Sequence, residues 1–147
     1  MSRPHIEPTD DLLAHLRQVT GDGPFVALNL NRYRGRADYP AGTPDADVSG
    51  REAYLRYGIV AFAAIHATGG RILWAADARE VAIGCEHERY DEVVAVWYPS
   101  RAAFLQLEDF PGYREAFEVH RRASIEHASL MFFAAGPEPK LATPYGS

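Results

Sequence analysis

Between residues 25 and 33 the chain alternates, with Val26, Leu28 and Leu30 on one side and Phe25, Ala27, Asn29, Asn31 and Tyr33 on the other, which is the period of a β-strand. Upstream, Leu12, Leu13, Leu16 and Val19 repeat at helical spacing. Thr9 stands where an N-cap belongs, Asp10 and Asp11 fall in the positive first turn, and Gly21 supplies a stop. Downstream, Ser49 opens a second helical pattern that runs to about Thr68. Tyr54, Tyr57, Ala61 and Ala64, with Ile59, Phe62 and Ile65, make most of its C-terminal half apolar and predict that it is largely buried. Gly69 and Gly70 end it. RILWAAD then reads as a second strand, with VAIG after a short turn as its bent continuation. The stretch DEVVAVWYP is apolar on both sides, Val94, Val96 and Tyr98 against Val93, Ala95 and Trp97, as a central strand should be. Pro99 closes it and Ser100 caps a short helix holding Phe104 and Leu107. Pro111 fits the first turn of a longer helix bearing Tyr113, Phe117, His120 and Ser124, and SLMFFA is the fourth strand.

After the first helix the order is β-α-β-β-α-β, which predicts an α+β, ferredoxin-like domain with an antiparallel four-stranded sheet and both helices on one face. Residues 1–22 form an extension with its own helix, residues 23–135 the domain, and residues 136–147, with Pro137, Pro139 and Pro144, a loose tail. The other sheet face is left open, yet the fourth strand is apolar on both sides, Met131 and Phe133 against Leu130 and Phe132. A second copy of the chain would cover that face and make a dimeric α+β barrel; the N-terminal helix folded across it is the rival. The fifteen residues from Arg34 to Val48, rich in Pro, Gly and Asp, are either a lid or slack.

Composition narrows the partners. The chain has 147 residues, 15 basic against 20 acidic, for a net charge of −5, which argues against a nucleic-acid surface. No apolar run approaches the ~20 residues of a membrane helix. Cys85 is the lone cysteine and the N-terminus has no apolar stretch, so a reduced, cytoplasmic setting is expected. Lys140 is the lone lysine among the basic residues, and a bias to arginine suits anions as well as reflecting genome composition. No phosphate-loop, dinucleotide, serine-hydrolase or zinc-protease pattern occurs, and Cys85-Glu86-His87-Glu88 lacks zinc spacing, so neither cofactor nor metal is expected.

Several residues could carry chemistry. Asn29 and Asn31 share a strand face and could fix a carbonyl or carboxylate by paired hydrogen bonds, or bond to each other or to backbone. Arg32, Arg34 and Arg36 alternate and could present guanidiniums to an anion, or lie solvated. His120 and Arg121, with Arg122, Glu126 and His127 nearby, offer a base, a cation and a carboxylate, or simple packing and surface ion pairs. Trp74, Trp97, Tyr54, Tyr57 and Tyr98 supply flat surfaces that suit an aromatic ligand and equally a core.

The blocks GPFVALNLNRYRGRADYP, SGREAYLRYG, GGRILWAAD, YDEVVAVWYPSRAAFLQLEDFPGYREAF and HRRASIEHASL, spanning Gly23 to Phe133, together resemble the domain-of-unknown-function family 1330 of the dimeric α+β barrel superfamily. The resemblance implies a ferredoxin-like subunit that pairs through its sheet. The family has no established reaction; superfamily members include cofactor-free monooxygenases, isomerases and plain binding proteins. Two departures stand out: Tyr90 where the family often has tryptophan, and Arg121 eight positions after Tyr113 where the family arginine is usually one position closer.

Three functions follow as expectations. An enzyme would bind a small acidic or aromatic carbonyl compound, with Asn31 and Arg32 orienting it, His120 moving a proton and Trp74 and Trp97 as walls. In that reading the pocket lies between the sheet, the Ser49–Thr68 helix and the Arg34–Val48 loop. A non-catalytic carrier or sensor would use the same pocket, and a structural or partner-binding homodimer would have none.

Overall fold

The protein is described from a computed structural model covering residues 5–19 and 23–141. Helix α1 (Asp10–Gln18) starts at Thr9, whose hydroxyl accepts from the Leu12 N–H at 3.2 Å. Gly21 lies outside the described residues. Strand β1 (Phe25–Tyr33) is followed by α2 (Gly50–Ala67), capped by Ser49, and by β2 (Arg71–Asp77). Strand β3 (Glu92–Tyr98) leads to α3 (Arg101–Leu105), capped by Ser100. The last helical segment runs without a break through α4 (Tyr113–Ala116), a π-helical turn (Phe117–Arg121) and α5 (Arg122–Ser124) into β4 (Ile125–Ala134).

The four strands form one antiparallel sheet in the order β2-β3-β1-β4, the ferredoxin-like arrangement. Register decides which side chains share a face. Asn29 pairs with Val94 and Leu130, and Ala27 with Val96 and Phe132, so these point to the helix layer. There Phe25, Ala27, Val96 and Tyr98 pack with Ala64 and Ile65 of α2 and with Ala103 and Leu107. Burying each Ile- or Phe-sized side chain stabilises this layer by ~1.5–3 kcal/mol, and the alanines let α2 lie close on the sheet. The opposite parity, Val26, Leu28, Leu73, Ala95 and Trp97, forms a second apolar cluster on the open face.

Some expectations need correcting. VAIG is not a strand, and Ile83 is exposed, because the chain turns away after Asp77. β4 begins at Ile125, four residues before SLMFFA, because it pairs with β1 as far as Tyr33. Pro111 lies in the turn before the last helix, and Gly112, at φ 84°, is the N-cap. Only one stripe of α2 is buried; Leu55, Ile59 and Phe62 are exposed, since among the described residues no further layer covers the helices.

α1 does not cross the open face. It packs beside α3 in the helix layer, so the rival cover for the sheet is removed. Trp74, Met131 and Phe133 remain 39%, 42% and 48% exposed. The Arg34–Val48 loop is not slack: Ala37 N–H donates to Val48 O at 2.9 Å, Asp38 N–H to Ala123 O at 2.8 Å and Arg34 N–H to Ser124 O at 2.9 Å. No helix among the described residues is long and apolar enough to cross a membrane.

Candidate functional site

Between the sheet and the helix layer lies a cavity of about 270 Å³. Asn29, Val94, Val96, Ile72, Ala75 and Leu130 form its floor. Tyr54, Tyr57, Gly58, Ala61 and Ile65 of α2 form one wall, Tyr113, Phe117 and Arg121 of the last helix the other, and Pro8 closes over the top. The α2 residues recur at helical spacing, which is why a single stripe faces the cavity.

The wall is aromatic with few polar groups, the usual make-up of a small-molecule site. The Tyr57 and Tyr113 hydroxyls meet at 3.0 Å, and burial pushes the pKa values of both up, as it does for Tyr54. All three phenols therefore stay protonated at neutral pH and act as hydrogen-bond donors. Asn29 Nδ2 donates to Val94 O at 3.2 Å, leaving its amide oxygen for other use. Glu92, the one carboxylate among the described residues of the lining, accepts from the Tyr33 hydroxyl at 2.5 Å and lies 3.4 Å from Arg51.

Asn31 is 1% exposed, and neither amide atom has hydrogen-bonding geometry with any described residue. It sits near enough to Tyr54 and Tyr33 to oppose in part the upward push of burial on their pKa values. The two phenols are its neighbours, but the bonds to them are poorly aligned, so the buried amide keeps hydrogen-bonding capacity beside the cavity.

The structure divides the candidate residues. Asn29, Tyr54 and Arg121 line the cavity, and Asn31 adjoins Tyr54. Trp97 and Trp74 lie on the opposite sheet face: Trp97 packs on Val26 and Ala95 and donates from Nε1 to Gly136 O at 3.0 Å. Arg32 also points to that face, pairing with Glu126 at 2.9 Å and Glu86 at 3.3 Å. His120 turns outward, its Nδ1 2.6 Å from the Tyr39 hydroxyl. The Arg34–Val48 loop contributes nothing to the cavity lining. Arg32 and His120 are therefore not brought together with Asn31, and neither tryptophan walls this cavity.

The π turn explains the exchange of His120 for Arg121. In an uninterrupted α-helix a residue seven positions after Tyr113, His120, would share its face. A π turn absorbs one extra residue, so Arg121 takes the inward phase and His120 is carried outside. It also fits an arginine standing one position later than in the family pattern. Such turns leave no mark in the hydrophobic pattern. Tyr113 and Glu92 are not among the candidates the sequence offers, although Glu92 shares the parity of Val94, Val96 and Tyr98 and is legible on that ground.

The profile of the family described as Domain of unknown function (DUF1330) matches residues 44–134. The chain belongs to this family. Among solved structures the chain is similar to the methylated RPA0582 protein, 36% identical over 90% of this chain and 96% of that one, with a TM-score of 0.80. The RPA0582 protein of unknown function from Rhodopseudomonas palustris is likewise 36% identical, over 88% of this chain and 95% of that one, with a TM-score of 0.78. A DABB family protein with a ferredoxin-like fold from Mesorhizobium loti is 10% identical, over 78% and 98% of the two chains, with a TM-score of 0.47. No curated protein matches this chain.

Proposed function

We propose that this member of the family is a cytoplasmic homodimer, joined through its open sheet faces, that binds a small acidic or aromatic carbonyl compound in the cavity of each subunit. The observation that carries the reading is the cavity itself: an aromatic-walled space of about 270 Å³ with the phenols, Asn29 and Arg121 gathered at it. Its groups suit holding an oxygen-bearing ring better than moving protons. Protonated tyrosines donate but do not abstract, and the carboxylate of Glu92 is engaged by Tyr33 and Arg51. Binding without turnover is accordingly the favoured form, with a cofactor-free enzyme as the alternative. Dimerisation is supported by the exposed Trp74, Met131 and Phe133 over an apolar sheet face.

The test is thermal unfolding of the protein against small carboxylates, phenols and enolisable carbonyls. A ligand at 100 times its Kd adds ~2.7 kcal/mol, a shift of several degrees. The shift should vanish in Gly58→Leu, which fills the cavity from α2. Absence of any shift across the panel would overturn the binding role and leave a structural dimer.

A further inference from the structure

We infer that Arg121 is the anchor for a carboxylate on the ligand of this cavity, so that the occupant is a small monocarboxylate with an apolar body; this rests on the binding reading above. Two adjacent arginines make the case by contrast. Arg122 reaches the Glu7 carboxylate with two hydrogen bonds, at 2.9 and 3.0 Å. Arg121 is 6% exposed, lines the cavity, and has no carboxylate among the described residues within ion-pairing distance. Its partners are all neutral: the Ile6 carbonyl, the Tyr54 hydroxyl and the face of the Phe117 ring, 5.0 Å away.

A buried guanidinium ordinarily meets an anion, because burial without a counter-charge is expensive. Nothing on this wall supplies one. The phenols that feel Arg121, Tyr54, Tyr57 and Tyr113, are kept neutral by burial, and Glu92 is turned to Tyr33 and Arg51. The counter-charge is therefore missing at the place where the cavity begins. Planar guanidinium and planar carboxylate match in geometry, and the protonated Tyr54 and the buried Asn31 amide beside it add donors for the same oxygens. Away from Arg121 the lining turns apolar, with Ile65, Ile72, Ala75 and Val96, which suits a ring or short branched chain.

The experiment compares isosteric pairs on the wild-type protein by calorimetric titration: benzoate against benzamide, and cyclohexanecarboxylate against its amide. The acids should bind about tenfold tighter or better, the size of a charge-assisted pair over a neutral one. In Arg121→Gln, with folding checked by circular dichroism, benzoate should fall to the level of benzamide. Where that variant does not fold, Asn31→Asp serves instead; it sets a negative charge beside the anchor and should weaken the acids selectively. Equal binding of acid and amide overturns the anchor while leaving the pocket intact. An acid preference that survives Arg121→Gln, or one that Asn31→Asp leaves untouched where that variant replaces it, overturns the assignment to Arg121. No binding by either member of either pair removes the pocket reading and the anchor with it.

Discussion

Gly58 sits in the middle of α2 on the stripe that faces the cavity, and a methyl group added there meets no heavy atom within 4 Å. A glycine inside a helix costs ~0.8–1.0 kcal/mol relative to alanine through backbone entropy. Gly58→Ala should recover that amount with no steric penalty. For a chain of 147 residues the unfolding entropy is about 0.3 kcal/mol per kelvin, so Tm should rise by ~3 °C. The assay is a circular dichroism melt at fixed pH and fixed protein concentration, because a dimer's Tm depends on concentration. A fall in Tm would show that the space beside Gly58 is filled and would refute the cavity as drawn. Gly58→Leu extends the same logic: it should fold with Tm no lower than wild type while losing any ligand-induced shift.

Gly50 behaves in the opposite way. A Cβ there would lie 2.3 Å from Arg34 O and 2.7 Å from both Arg34 N and Ser124 O, all backbone, so Gly50→Ala should cost about 2–3 kcal/mol and lower Tm by roughly 6–10 °C; a Tm within 2 °C of wild type would contradict it. Burial, reinforced by Arg56, lowers the His120 pKa. The unfolded chain then takes up the proton first, near pH 6.5, so the stability tied to neutral His120 is present above that pH and is lost as pH falls through the folded value. Melts between pH 7.5 and 5 should show a shallower acid loss in His120→Gln; parallel curves would remove the effect. Phe133→Asp, on the open face, should shift the solution mass from twice the 16.3 kDa chain to one copy, and an unchanged dimer would place the interface elsewhere.

The strands and caps were legible because alternation and Thr9, Ser49 and Ser100 are local signals. What alternation cannot say is which of a strand's two faces meets the helices. That is why Trp97, correctly opposed in parity to Val96 and Tyr98, suits a pocket wall by residue type yet faces away from the cavity. The outer residues of α2 misled for a related reason: Ile59 and Phe62 are as apolar as the inner stripe, and only the number of layers decides their exposure. Asn29, Asn31 and Tyr54 were legible from residue type on an inward face. Arg121 stands beside His120 among the candidates, but that the arginine and not the histidine faces the cavity is not legible, since a π turn changes helical phase without changing composition.

β1 turns its odd positions to the helix layer, with Asn29 on the cavity floor, and its even ones to the open apolar face. The residues turned to the helix layer and those of the open face are thus written on one backbone. A one-residue slip of β1 against β3 would turn Leu28 and Leu30 into the cavity and set two amides in the greasy outer surface. If the chain binds and pairs as proposed, a slipped β1 would lose both properties together. Loss of both together, rather than of either alone, would be the mark of a strand that has missed its register.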